Sequence, residues 1–271
     1  MSFPSIRLHG LRLHSMTEPE CVSHILGKLG AGEGGWVVTA NLDILRQCAS
    51  KTDLMTLVER ADLIVPDGMP LLWASWLQRT PMKARVTGSN LITSLSAAAA
   101  DRNKSVYLLG GARHTALEAS RALKSRYESL EIAGTHYPPP GFENDPDQMD
   151  ELIASLCRTR PDIVFIGLGF PKQEHLIQRI RPFLPRSWLL GVGISFSFLS
   201  GQIPRAPQWV QMIGLEWLFR LVHEPRRLFS RYIVYGLPFA LRLFLAAFFS
   251  RGETRQTEAA PLAADAARDD G

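Results

Sequence analysis

The sequence predicts an α/β fold in which a mainly parallel, Rossmann-like sheet carries helices on both faces. Short apolar or β-branched runs alternate with longer stretches whose apolar residues recur every three or four positions. The 271 residues are 46% hydrophobic, which is enough to bury a large core. Glycine- or proline-containing turns follow most of the short runs, as expected where strands end beneath a ligand crevice.

Each element follows from this alternation. We expect strands at residues 36–39, 63–65, 105–109, 132–135, 163–166 and 188–192. We expect helices at residues 18–29, 42–60, 90–102, 115–127, 147–158 and 172–183. Residues 138–141, three prolines and a glycine, predict a loop after the fourth strand. Asp145 and Asp147 are interpreted as a turn and a helix cap.

The chain is expected to divide into an α/β domain (1–200), a helical appendage (201–250) and a disordered tail (251–271), the tail having little to bury. Seven arginines and two glutamates lie between Gly201 and Arg251, interleaved with Trp and Phe. This pattern favours a membrane-associating surface over a core-packed helix with a solvated arginine face. The apolar run 232–249 contains Pro238 and Arg242 and is short for a span, so it suits lying on a membrane better.

Composition excludes several classes of protein. Three widely spaced cysteines, Cys21, Cys48 and Cys157, support neither a disulfide framework nor a cysteine zinc site and fit a reducing cytosol. The first residues lack a secretory signal pattern. A net charge of +4 is weak evidence for a nucleic-acid partner, and none is expected. Seven scattered histidines without an HxxH or HExxH spacing predict no metal site.

Polar side chains follow the first two strands. Thr39, Asn41 and Asp43 stand where such a sheet presents its ligand crevice, although Asn41 or Thr39 could simply cap the next helix. Asp67 lies in a turn between two prolines, which suits a fixed general base. The alternative for Asp67 is an N-cap with Pro70 in the first helical turn.

The next segments suggest anion binding. Arg85 precedes small hydroxyl residues at a helix start, as in a diphosphate site, or it is an ordinary surface arginine. Gly110 and Gly111 form a phosphate-type turn that is not the GxGxxG fingerprint, which argues against a dinucleotide oxidoreductase. No Gly-x-Ser-x-Gly elbow surrounds Ser195 or Ser197, so nucleophilic serine catalysis has no support.

The most specific segment is residues 167–174, in which a Gly-x-Gly turn leads into a helix. Its first turn offers Lys172, Gln173 and Glu174, and a lysine there is unfavourable unless an anion lies nearby. Ordinary capping explains Glu174. Gly191 and Gly193 add another turn that permits close approach.

Taken in order, these motifs resemble the WecG/TagA/CpsF family of bacterial glycosyltransferases over residues 39–232. The motifs are TANLD, PDGMP, RVTG, GLGFPKQE, GVG, RAP, LEWLFRL and EPRR. The resemblance implies an inverting, metal-independent enzyme that moves a sugar, of the N-acetylmannosamine, N-acetylmannosaminuronic acid or glucose type, from a UDP-sugar to a polyprenyl-diphosphate-linked saccharide. Such an enzyme would work in cell-envelope or exopolysaccharide synthesis, attached peripherally to the inner face of the cell membrane.

The resemblance also implies residue roles. Asp67 would be the catalytic base, and the donor would be held by Thr39, Asn41, Arg85 and Gln173, with the turns at Gly110, Gly111, Gly169, Gly191 and Gly193 around it. The acceptor diphosphate and the membrane would be met by Arg205, Arg220, Arg226, Arg227 and Arg231.

Two positions depart from the family pattern, because Asn90 and Ser197 stand where a carboxylate is usual. They motivate an alternative, a non-catalytic membrane-attached scaffold that binds a nucleotide sugar without turnover. The sequence leaves open whether the chain forms a homo-oligomer.

Overall fold

The computed structural model describes residues 3–212 and 214–250, and the tail expected at 251–271 lies outside the described residues. Its strands are β1 (Ser5–Leu8), β2 (Leu11–His14), β3 (Gly35–Ala40), β4 (Leu63–Pro66), β5 (Ser105–Gly110), β6 (Glu131–His136), β7 (Ile163–Gly167) and β8 (Trp188–Gly191). Strands β3 to β8 form one parallel sheet in the order β4-β3-β8-β7-β5-β6. The predicted sheet is confirmed, with each strand within one or two residues of its expected bounds.

Thirteen α-helices occur in the described part of the chain. The first nine are α1 (Glu18–Gly30), α2 (Leu42–Ser50), α3 (Thr52–Glu59), α4 (Met69–Leu77), α5 (Gly88–Asp101), α6 (Thr115–Arg126), α7 (Pro146–Thr159), α8 (Lys172–Ile180) and α9 (Ser195–Leu199). The others are α10 (Gln208–Met212), α11 (Glu216–His223), α12 (Pro225–Phe229) and α13 (Leu237–Phe249), with a π-helical stretch, Ser230–Gly236, between the last two. Within the described residues, only helices follow Gly201, as expected.

Each strand of the sheet serves two cores, because successive side chains point to opposite faces. In β7, Val164 and Ile166 face one core while Ile163 and Phe165 face the other. The first core is closed by α2, α3, α4, α7, α8 and α13, and the second by α1, α5, α6 and α9. The three-layer α/β architecture is therefore confirmed, with helices on both faces of the sheet.

The prediction of a single helix at residues 42–60 is wrong. Lys51 is extended (φ −140°, ψ 111°) and separates α2 from α3. Cys48 and Leu54, both buried, are six residues apart, a spacing that one straight helix would place on different faces. The break lets both helices turn an apolar side toward the same core.

A two-stranded hairpin, β1 and β2, was not expected from the sequence. Leu8, Leu11 and Leu13 are fully buried, and the turn between the strands contains His9 and Gly10, both with positive φ. A His-Gly pair between alternating apolar residues is a usable hairpin signal. The hairpin contacts the appendage, since the rings of His9 and Phe239 lie 5.4 Å apart.

Helix α13 has two apolar sides. Phe239, Leu243 and Ala247 are buried in the first core, whereas Leu241 and Leu245 are exposed. The continuous helical stretch Pro225–Phe249 is long and apolar enough to cross a membrane by length and composition. One side of it is nevertheless docked on the protein.

Candidate active site

A cavity of about 610 Å³ opens at the carboxyl ends of the central strands. Thr39 ends β3, Asp67 follows β4, and glycine turns follow β7 and β8, so the crevice lies where parallel sheets bind ligands. Its other wall is formed by α4 and by the appendage. The expected site residues that line it are Thr39, Asn41, Asp67, Arg85, Gly111, Gly169, Gln173, Gly191, Gly193, Arg220, Arg227 and Arg231.

Asp67 is a carboxyl group held in a poorly hydrated corner of this cavity. The protein around it displaces most of its water, and this desolvation raises its pKa to about 6. The charges of Arg85 and Arg220 and the backbone N–H of Gly88 lower its pKa. Helix α4 begins after Gly68, so the capping interpretation of Asp67 does not hold. A carboxyl with this pKa is largely ionised at pH 7 and can accept a proton.

Arg85 points into the cavity and pairs with the appendage. Its Nη1 lies 3.3 Å from Oε2 of Glu216 in α11, and both side chains are about one-sixth exposed. Helix α5 begins just beyond, with Thr87 Oγ1 accepting from the Asn90 N–H at 3.1 Å. The surface-arginine alternative is therefore wrong, and a cation stands next to a helix N-terminus, an arrangement that favours anions.

Thr39 and Asn41 lie on the same side of the cavity. Thr39 is buried at the end of β3, and a Cβ added at Gly88 would come within 3.2 Å of its hydroxyl. Asn41 Oδ1 accepts from the N–H groups of Asp43 and Ile44, each at 3.0 Å, so it caps α2 as the alternative proposed. It also lines the cavity, so the two interpretations of Asn41 are compatible.

Gln173 ties two turns of the cavity wall together. Its Oε1 accepts from the N–H of Gly169 at 3.1 Å and from that of Gly193 at 3.3 Å. A Cβ at Gly191 would overlap the Gln173 amide, which explains the glycine there. Gly110 lies outside the cavity lining, and its lack of a side chain accommodates Leu168, which a Cβ would approach to 2.8 Å.

The anion expected beside Lys172 belongs to the protein itself. Lys172 Nζ lies 2.9 Å from Glu143 Oε2 and 5.2 Å from the ring centre of Phe142. The ion pair lowers the pKa of Glu143. Lys172 lies outside the cavity lining, so its charge at a helix start is offset without a ligand.

Three appendage arginines line the cavity. Arg231 Nε lies 3.0 Å from Asp43 Oδ2, which ties the π-helical stretch to α2. Arg227 pairs with Glu224 at 2.6 Å. The Arg220 guanidinium lies 5.8 Å from the ring centre of Phe198, and its Nε has no hydrogen-bond partner among the described residues. The appendage thus brings three guanidinium groups and one carboxylate, that of Glu216, to the cavity lining.

Two other expected arginines lie outside the lining. Arg205 is held by Ser89 Oγ at 3.0 Å and by Asn90 Oδ1, and burial lowers its pKa. An amide oxygen at Asn90 thus accepts from Arg205 where the resemblance suggested a carboxylate. Arg226 is exposed to solvent. The second departure, Ser197, lines the cavity.

Several lining residues were not identified from the sequence. Glu216 was overlooked, although it is one of two glutamates in an arginine-rich stretch. Apolar and aromatic side chains also line the cavity: Trp73, Trp217, Tyr232, Leu237 and Phe244. Trp217 and Tyr232 meet edge to face at 6.3 Å, and Trp73 and Phe244 lie 6.5 Å apart. The wall therefore combines guanidinium groups with a large aromatic surface.

Comparison with known sequences assigns this arrangement to a family. The model of the Glycosyl transferase WecG/TagA/CpsF family matches residues 6–253. The chain belongs to this family. The cavity of this glycosyltransferase lies between the sheet and the appendage. Within residues 3–212 and 214–250, no group of three or more His, Cys, Asp or Glu side chains could hold a metal ion.

Three bacterial proteins that share one name are similar to this chain. The glycosyltransferase is 33% identical over 207 residues to a Bacillus spizizenii protein, covering 76% of this chain and 78% of that one. It is 29% identical to proteins of Bacillus subtilis, covering 72% and 73%, and Staphylococcus aureus, covering 71% and 74%. Each is named an N-acetylglucosaminyldiphosphoundecaprenol N-acetyl-beta-D-mannosaminyltransferase.

Proposed function

We propose that this protein transfers N-acetylmannosamine, or a closely related sugar, from a UDP-sugar to a polyprenyl-diphosphate-linked saccharide with inversion at the anomeric carbon. The juxtaposition of Asp67 with Arg85 in a cavity closed by appendage arginines carries the proposal. The names of the relatives support the lipid-linked acceptor and the mannosamine-type sugar.

In this mechanism Asp67 takes the proton of the attacking acceptor hydroxyl. The hydroxyl oxygen forms a bond to the anomeric carbon as the bond from that carbon to the UDP oxygen breaks, so configuration inverts. Because its pKa is about 6, Asp67 is largely ionised at pH 7 before the reaction. A pKa this close to the working pH also makes it an efficient base.

The departing UDP carries the developing negative charge. Arg85 and the N-terminus of α5 would stabilise it, and the glycine turns held by Gln173 would allow a diphosphate to approach the backbone closely. These groups would supply the stabilisation that a divalent cation supplies in metal-dependent transferases. We therefore propose that no metal or other cofactor takes part.

The acceptor would enter from the appendage side. Arg220, Arg227 and Arg231 offer guanidinium groups suited to a lipid diphosphate, and the aromatic part of the lining suits the first isoprene units. The exposed side of α13, with Leu237, Leu241 and Leu245 each at least half exposed, would lie in the headgroup region of the cytoplasmic membrane face. Because its other side is buried in the protein, we propose that this helix lies on the membrane rather than crossing it.

The deciding experiment combines donor and acceptor. Purified protein is incubated with UDP-N-acetylmannosamine and a synthetic polyprenyl-diphosphate N-acetylglucosamine, and UDP release and product mass are followed with and without excess EDTA. We expect transfer that survives EDTA and that falls about a hundredfold or more in Asp67→Asn, the usual size of a general-base effect. UDP binding without transfer from any UDP-sugar would favour the non-catalytic scaffold, and strict dependence on a divalent ion would overturn the metal-free proposal.

A further inference from the structure

Glu174 is a buried carboxyl group for which the mechanism above has no use. It lies in the first turn of α8 and is 1% exposed. Burial raises its pKa to about 7, and the hydrogen bonds it accepts from Gln173 and from its own N–H lower it by less. Its Oε2 has no hydrogen-bond partner among the described residues. A carboxyl in such a place is costly to bury, so its presence calls for an explanation.

The explanation begins with the contacts of its neighbour. Gln173 Oε1 accepts from the N–H groups of Gly169 and Gly193, and Gln173 Nε2 donates to Glu174 Oε1 at 2.9 Å. One amide therefore bridges the turn after β7 and the turn after β8. Both turns line the cavity, whereas Glu174 lies outside the lining, next to the amide.

The orientation of this amide matters because its two ends have opposite hydrogen-bonding character. If the amide of Gln173 turned over, Nε2 would face the N–H groups of Gly169 and Gly193, and two donors would lose their acceptor. Glu174 Oε1 opposes that rotation, because an oxygen acceptor favours the nitrogen end of the amide. The carboxyl thus selects the orientation that holds the two turns together.

We propose that Glu174 is a positioning residue that fixes the Gln173 amide and thereby the spacing of the two glycine turns that receive the donor's diphosphate. This inference rests on the proposed function, since it assumes that a UDP-sugar occupies the cavity. Glu174 touches no substrate and acts only through Gln173. Loss of the acceptor should therefore raise the KM for the UDP-sugar and leave kcat nearly unchanged.

Three substitutions separate this role from general support of the core. Glu174→Gln keeps an oxygen that can accept from Gln173, whereas Glu174→Met fills the space without an acceptor. Glu174→Asp keeps the carboxyl group but withdraws its oxygens by one methylene. Ile177→Val is the matched control, because Ile177 is fully buried on the same helix and removal of one methyl group disturbs only packing.

The measurements are calorimetric UDP binding to the full chain, donor KM and kcat, and thermal unfolding. We expect Glu174→Met and Glu174→Asp to weaken UDP binding about tenfold, the scale of one lost buried hydrogen bond, and Glu174→Gln and Ile177→Val to stay within about threefold of the parent. If Glu174→Met does not fold, the comparison of Glu174→Asp with Glu174→Gln decides.

The outcomes are distinguishable. Failure of the unsubstituted protein to bind UDP would overturn the proposed function itself. UDP binding by the unsubstituted protein that is equally tight in Glu174→Asp would overturn the positioning role. Equal losses in Glu174→Gln and Glu174→Asp, in step with a lower unfolding temperature, would reduce Glu174 to a structural residue.

Discussion

Arg85 Nη1 and Glu216 Oε2 lie 3.3 Å apart inside the cavity, so a cation of the α/β domain and a carboxylate of the appendage form one ion pair. Both groups act on Asp67, whose pKa is lowered by Arg85 and raised by Glu216. The appendage therefore does more than cover the cavity. It contributes a charge that raises the pKa of the proposed base, beside the larger effects of burial and of Arg85.

Glu216→Gln should move the activity profile to lower pH. Removing the carboxylate takes away an influence that raises the pKa of Asp67, so the base stays ionised in more acidic solution. The acid limb of kcat/KM against pH measures this shift. Glu224→Gln is the control, because Glu224 is the appendage's other glutamate and pairs with Arg227 instead. An unchanged acid limb in Glu216→Gln would show that Glu216 does not act on the base.

Asp67→Asn should stabilise the protein while it lowers activity about a hundredfold or more. The pKa of Asp67 is about 6 in the folded protein against an ordinary value of 3.8. Between these values the folded state holds a proton that the unfolded state releases, so stability falls as pH rises through this window. Asparagine removes that cost and can still accept from Gly88.

Thermal unfolding across pH tests this expectation. The gain in unfolding temperature of Asp67→Asn over the unsubstituted protein should be full above pH 6 and should shrink as pH falls toward 4. A variant less stable at pH 8 would mean that the charged carboxylate contributes favourably to the folded state. The expected outcome, lower activity with higher stability, would mark a site where a buried carboxylate costs stability and serves function.

Arg231→Ala should weaken use of the lipid-linked acceptor. Arg231 lines the cavity and is oriented by Asp43, so we expect an acceptor KM about tenfold higher, the scale of one charge-assisted hydrogen bond. UDP binding should be unaffected. Arg226→Ala is the charge-matched control, because Arg226 is exposed and outside the lining. Equal effects of the two substitutions would indicate a general electrostatic attraction to the membrane in place of a site contact.

Most of the sheet could be predicted from the sequence, because the pattern of apolar residues that marks a strand is local. Residues 163–166 read as a buried strand, and Val164 and Ile166 indeed face one core while Ile163 and Phe165 face the other. The break at Lys51 was missed because apolar residues recur at helical spacing on both sides of it, and only the shared core shows that they must face the same way.

Part of the site could be predicted from the sequence for the same reason. Asp67 follows a predicted strand and Arg85 precedes a predicted helix, so both could be expected at the carboxyl edge of the sheet. Glu216 reaches Arg85 from 131 positions along the chain, and no local pattern signals such a contact. Glu174 looked like an ordinary first-turn acid, although it stands three positions before the buried Ile177 and so lies on the apolar side of α8.

Leu241→Glu combined with Leu245→Glu should release the protein from membranes. Both side chains are at least half exposed on α13, so the change should leave stability almost unaltered while it places charge in the proposed membrane contact. Sedimentation with anionic phospholipid vesicles measures binding, and Leu117→Glu, an exposed apolar position on α6, is the control.

Activity on a long polyprenyl acceptor in vesicles should fall, whereas activity on a short, water-soluble analogue should persist, because the cavity residues are untouched. Point substitutions are sharper than removal of the appendage, since Phe239, Leu243 and Ala247 belong to the core and their loss would unfold its surroundings. Vesicle binding equal to that of the unsubstituted protein would exclude this side of α13 as the membrane contact.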